Sequence, residues 1–157
     1  MTKNLPTVGR PAPPFMLSTD TGDAVSLDDY KGKSVVLYFY PKDDTSSCTV
    51  EACEFRDDMP RFKKGKAVIL GVSPDSVKSH RKFKEKFDLN FTLLADIDHA
   101  VAERYGVWQE KTLYGRKYMG VMRTTFLIDG TGVLRTVFEA VKSEGHAAAV
   151  AAALSAL

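Results

Sequence analysis

Two stretches of the chain are apolar almost without a break. SVVLYFY (34–40) and AVILGVS (67–73) are strand-length and lack polar alternation, the pattern of strands buried on both faces. Pro41 ends the first. Around these runs the period changes. FMLS (15–18) and AVSL (24–27) flank the turn-rich TDTGD (19–23), which predicts an N-terminal β-hairpin. After Pro74, Val77, Phe83 and Phe87 predict a helix with one apolar face. FTLLAD (91–96) reads as a short strand and HAVAERYG (99–106) as a short helix closed by Gly106. VMRTTFLID (121–129) and VLRTVFEA (133–140) read as strands joined through Asp129-Gly130-Thr131-Gly132, a hairpin signal. The alanine-rich tail from Glu144 is a helix on propensity alone.

Strands alternating with helices, then a hairpin and a closing helix, predict an α/β protein. Its expected form is a central mixed β-sheet flanked by helices, with the N-terminal β-hairpin in front; a thioredoxin-like arrangement fits that order, and so do other α/β sheets. A chain of 157 residues fits one domain, 1–157, with one substantial core. The formal charge of +2 is too small to argue for nucleic acid, and the basic residues alternate with acids, as in KFKEKF (82–87). MTKNLPTVGRP has no apolar signal-peptide core, and AAAVAAALSAL (147–157) is too short to span a bilayer. The expectation is a cytoplasmic protein without a membrane partner. In that reducing setting, neighbouring cysteines indicate redox chemistry or metal more than a structural staple.

The chain has two cysteines, Cys48 and Cys53. Strand 34–40 ends, the polar loop KDDTSS follows, and CTVEACEFRDDMPRF begins. Phe55, Met59 and Phe62 recur at helical spacing, so the run can bury one side as a helix, with Ser46 or Ser47 as its N-cap. Cys48 then lies in the first turn, where unpaired N–H groups and the helix dipole stabilise a thiolate. Five helical residues rise about 7.5 Å and turn the two thiols to different faces. A disulfide needs Cα atoms within about 7 Å. Cys48 and Cys53 therefore bond only if the first turns unwind.

From the pair alone three readings stand: a catalytic pair, two small residues packed in a helix, or two ligands of a metal. The last lacks a third thiolate, and His80 and His99 lie in separate elements, where they read as plain helix residues. Trp108 reads as a buried aromatic. Thr45 lies three residues before Cys48, within reach of a ligand at the helix mouth. Arg123, in VMRTTFLID, comes near the thiol if that strand runs beside the one ending at Tyr40. A guanidinium there would stabilise a thiolate and bind an oxygen-rich substrate.

YFYPKDDTSSCT contains P-x-x-x-T/S-x-x-C as Pro41, Thr45 and Cys48, and RTTFLID carries Arg123 in register. In these segments the chain resembles the peroxiredoxins. With C-x4-C, SLDDYKGK (26–33), GVSPDSVKSH (71–80) and YGVWQEKTLYGRKYMG (105–120), it is similar to their Q-type, or bacterioferritin-comigratory, subfamily. The resemblance implies a thioredoxin-like fold and hydroperoxide reduction without metal or organic cofactor. It implies that Cys48 is the peroxidatic and Cys53 the resolving cysteine. Thr45 would orient the peroxide, Pro41 shield the pocket, Arg123 bind thiolate and peroxide, and Glu51 brace the arginine. It also implies a thioredoxin or similar dithiol reductant. Since one chain carries both thiols, a monomer suffices. The chain departs from the family at Ser46-Ser47, where Pro-Gly is usual, and the serines predict a more firmly capped first turn that opens less readily. The competing functions are a thiol-disulfide oxidoreductase, which would want C-x2-C, and a non-catalytic redox sensor.

Overall fold

A computed structural model describes residues 5–139 and 141–157; residues 1–4 and Ala140, the last residue of the run read as a strand over 133–140, lie outside the described residues. In chain order the elements are β1 (Met16–Thr19), β2 (Ala24–Ser26), a 3-10 turn (Leu27–Tyr30), β3 (Ser34–Phe39), α1 (Ser46–Asp57) and α2 (Met59–Lys64). There follow β4 (Ala67–Ser73), α3 (Val77–Phe87), β5 (Thr92–Ala95) and α4 (Ala100–Arg104). The chain closes with β6 (Trp108–Leu113), β7 (Arg116–Val121), β8 (Thr124–Ile128), β9 (Leu134–Phe138) and α5 (His146–Ser155).

Seven strands form one sheet in the order β2-β1-β5-β4-β3-β8-β9. β3, β4 and β5 pair in parallel, while β1, β2, β8 and β9 join antiparallel, so the sheet is mixed. The fold is thioredoxin-like, with β1 and β2 forming the N-terminal hairpin. The two-residue period of a strand divides the core into two layers. Val36, Tyr38 and Tyr40 face Phe55, Phe62, Phe83, Val150 and Leu154 from α1, α2, α3 and α5. Val35, Leu37 and Phe39 face Val101, Tyr105 and Phe126 on the other side. Gly71 is a packing requirement: a Cβ there would stand 2.9 Å from the Tyr38 ring and Leu93.

Three expectations need correcting. First, the helix read through 48–62 divides at Asp58 into α1 and α2. Pro60 has no N–H to donate, and its ring disfavours a continuous helix through the preceding turn. Second, the N-cap of α1 is Thr45, not Ser46 or Ser47; both serines occupy helical positions and are exposed, and no side chain caps the turn. Third, 121–129 is not one strand: Val121 ends β7, Met122 N–H donates to Val107 O at 2.8 Å, and β8 starts at Thr124.

The hydrophobic pattern assigned no element to 108–120, yet β6 and β7 form a two-stranded hairpin apart from the main sheet. Tyr114 and Gly115, both at positive φ, make its two-residue turn. Trp108 is half-buried rather than buried, and its indole stacks on the His99 ring with centroids 3.9 Å apart. Among the described residues no helix is long and apolar enough to cross a membrane.

Candidate active site

β3 delivers the chain to Pro41 at the C-terminal edge of the sheet, and the loop 41–45 turns it into α1. Asp44 adopts a left-handed conformation, φ 59°, to make that turn. A buried polar network fastens the loop to α3. Tyr40 Oη donates to Asp43 Oδ1 at 2.6 Å, and Ser79 Oγ donates to Asp43 Oδ2 at 2.8 Å. His80 Nδ1 lies 2.7 Å from Asp43 Oδ2, while its Nε2–H donates to Leu94 O at 2.8 Å. His80 is fully buried, so this histidine, read as a plain helix residue, is a structural tie between the loop and the sheet.

The first two turns of α1 present Cys48, which is 2% exposed, and Glu51, which is 1% exposed, on one side three residues apart. Arg123 enters from the segment before β8. Because Phe39 pairs with Thr124 across the β3–β8 ladder, the sheet itself sets the guanidinium beside the start of α1. One arm, Nη2–H, donates to Cys48 Sγ at 3.2 Å; the other, Nη1–H, donates to Glu51 Oε1 at 2.5 Å. The arginine thus clasps the thiol and a carboxylate in a planar fork. Among the described residues, Glu51 Oε2 is buried without a partner.

The charges at this fork oppose their surroundings. Burial pushes the Glu51 carboxyl up to about 7, against the pull of Arg123. Burial also depresses the Arg123 guanidinium, but Glu51 and Cys48 outweigh it and raise it above its ordinary value. On α5, His146 accepts or donates at Thr125 Oγ1 over 2.7 Å; burial, with Arg123 adding to it, brings it down to about 4. Neutral His146 and the guanidinium therefore coexist in a poorly hydrated site.

Cys48, Glu51 and Arg123 meet directly. Pro41 and Arg123 line one open cleft of about 450 Å³, together with Glu110, Lys111, Tyr118 and Met122. Thr45 donates its hydroxyl to Lys42 O at 3.1 Å, leaving its oxygen as a potential acceptor. Cys53 stands apart, half-buried further along α1, and both thiols are free. Sequence reading missed the wall from the β6–β7 hairpin, whose Tyr114-Gly115 turn was the available signal, and it missed His146.

A thioredoxin-like sheet presenting a buried thiol at a helix start, clasped by an arginine, defines the class of thioredoxin-fold thiol peroxidases. Comparison with known proteins narrows the class. The description "AhpC/TSA family" matches residues 8–137. The chain is 52% identical over 141 residues to peroxiredoxin Bcp of Bacillus subtilis, covering 90% of each. It is 46% identical over 135 residues to peroxiredoxin Bcp of Escherichia coli, covering 86% of each. Bacterioferritin comigratory protein of Xanthomonas campestris, whose structures concern its alkyl peroxide reduction activity, matches with a TM-score of 0.87 and 42% identity over 90% of each chain. The chain belongs to the AhpC/TSA family, within its Bcp/PrxQ peroxiredoxins, and is a thiol-dependent peroxidase that takes a hydroperoxide and a thiol reductant.

Proposed function

We propose that Cys48 is the peroxidatic cysteine and Cys53 the resolving cysteine of a peroxidase acting on hydrogen peroxide and organic hydroperoxides. The observation that carries this reading is the Arg123 guanidinium, which donates to Cys48 Sγ at 3.2 Å while bound to Glu51. The Cys48 thiolate attacks the terminal peroxide oxygen. The O–O bond breaks, sulfur takes that oxygen to become a sulfenic acid, and the other oxygen leaves as hydroxide or alkoxide and takes up a proton. Charge spreads from sulfur over both oxygens in the transition state. Arg123, already oriented by Glu51, and the free N–H groups at the start of α1 stabilise that charge with little reorganisation. Pro41 keeps water off the sulfur, and Thr45 accepts the peroxide's proton-bearing end through its hydroxyl oxygen.

Resolution requires α1 to change. Both thiols are helical, so the first turns unwind before Cys53 sulfur bonds Cys48 sulfur and expels the sulfenic oxygen as water. Phe55, fully buried with its ring 4.8 Å from Tyr38, anchors the helix beyond Cys53 and confines the melting to residues 46–54. The absence of a side-chain cap on α1 favours that opening. A dithiol protein of the thioredoxin type then returns the disulfide to two thiols and is itself oxidised. Such a cycle suits a reducing compartment such as the cytoplasm, and one chain acting as a monomer contains all of it. The apolar cleft residues Pro41, Tyr118, Met122 and Val141 support organic hydroperoxides as substrates beside hydrogen peroxide, as does the alkyl peroxide reduction activity of the Xanthomonas relative.

Multiple-turnover peroxide consumption with a thioredoxin-type protein dithiol as reductant tests the cycle. Wild type should consume many equivalents, Cys48→Ser none, and Cys53→Ser should stop after about one equivalent with a protein dithiol as donor. Turnover by Cys48→Ser would overturn the assignment.

A further inference from the structure

Arg123 shares its cleft with a second cation. Lys111, from β6, lines it together with Pro41, Glu110, Thr112, Tyr118, Met122 and Val141. Its stem packs along β7 at Gly120, where a Cβ would stand 3.4 Å from Lys111 Cδ and 3.6 Å from its Cε, ordinary contact distances. Among the described residues, the ammonium has no hydrogen bond and no ion pair. A lysine that only covers apolar surface keeps its head in bulk water. Here the side chain is half-buried, and burial, reinforced by Arg123 and opposed by Cys48, lowers its pKa. Glu110 lines the same cleft but is not paired with this ammonium, so a half-buried cation beside another cation is left able to take an anion from outside the chain.

Resting on the peroxidase reading, we propose that Lys111 is a specificity residue selecting hydroperoxides that carry a carboxylate. Its ammonium takes the anionic substituent while the peroxy group meets Arg123 and Cys48. Glu51 already occupies one arm of Arg123, so Arg123 attends to the reacting oxygens and Lys111 to the distant charge. Tyr118, across the β6–β7 ladder from Lys111, and Met122, next to Arg123 in sequence, line the same cleft and accommodate the carbon chain that links the two groups. Lys111 lies on the outlying hairpin, outside both core layers, so its replacement leaves the fold unaffected.

The test compares tert-butyl hydroperoxide with 3-hydroperoxy-3-methylbutanoate, which replaces one methyl by a carboxymethyl group. Lys111→Met should lower kcat/KM for the carboxylate about tenfold, the factor one charge-assisted hydrogen bond supplies, chiefly through KM. The neutral peroxide should lose clearly less than the carboxylate, and Lys111→Arg should retain the preference. Equal losses on both peroxides, or none on either, would overturn the proposal. A second arm does not depend on turnover. The unreactive alcohol 3-hydroxy-3-methylbutanoate, titrated into Cys48→Ser protein by NMR, should bind about tenfold more weakly once Lys111→Met is added. Equal binding would contradict Lys111 even if wild type failed to consume either peroxide, a failure that would sink the peroxidase assignment instead.

Discussion

The two ends of α1 are built from different materials. Its first turns present exposed Ser46 and Ser47, no side-chain cap, and polar contacts from Cys48 and Glu51 to Arg123. Its last turn carries Phe55, fully buried between the Tyr38 and Phe62 rings. The front is secured by directional bonds that a change at sulfur can break. The rear is secured by area removed from water, which does not respond to oxidation. A helix divided this way can melt at one end without losing its place in the core, and Cys48 and Cys53 lie on the part that can move.

Breaking the rear should cost most. Phe55→Ala should lower stability by about 3–5 kcal/mol, read as a fall in the denaturant midpoint, because it empties a fully packed site between Tyr38 and Phe62. Breaking the front should cost less stability and more rate. Arg123→Met should lower kcat/KM for hydrogen peroxide by roughly 10²–10³, the value of one transition-state donor, and Arg123→Lys should not restore it because a lysine cannot fork to sulfur and Glu51 together.

The buried titrating groups sharpen the comparison through pH. Glu51 is pushed up to about 7 in the folded protein. Its contribution to stability is therefore present below its unfolded value and lost as pH rises through 7. His146, brought down to about 4, does the reverse: its contribution is present above its unfolded value and lost as pH falls through 4. Between about pH 4.5 and 6.5 the two slopes oppose each other. Glu51→Gln should gain on wild type by roughly 2 kcal/mol as pH rises across that window and on to 7, and His146→Gln should lose a slope of the opposite sign. Chemical denaturation at a series of pH values reads both, and parallel curves for all three proteins would contradict the assignment.

The smallest effect is at the helix entry. Ser46 is the first helical residue, where proline is favoured, so Ser46→Pro should stabilise the turn by about 0.5–1 kcal/mol and slow disulfide closure. Stopped-flow oxidation faster than wild type would contradict this. The prediction reverses the expectation that serines cap the turn, since the cap position belongs to Thr45.

Most of the scaffold was readable because it depends on local periods. Val35 to Tyr40 buried on both faces, the turn after Asp129, and Phe83 on α3 all announce themselves within a few residues. Arg123 beside Cys48 was legible through the family resemblance, with RTTFLID in register; the strand pattern by itself reads it equally as a surface charge at a strand end. The break at Asp58 had a signal in Pro60 that the spacing of Phe55, Met59 and Phe62 outweighed. The Asp43–His80 tie spans 37 residues with no motif between its ends, and Lys111 belongs to a hairpin whose mixed polarity reflects its position off the core. Polar contacts between distant segments, set by tertiary geometry, were the part the pattern left unread.

The most direct test of the account is intact mass after one equivalent of hydrogen peroxide, on wild type and on Cys53→Ser. The account predicts a loss of about two mass units in wild type, from the Cys48–Cys53 disulfide, and a trappable sulfenic acid at Cys48 in the variant. A wild-type protein that gained oxygen without forming the disulfide would contradict the division of labour between the two thiols.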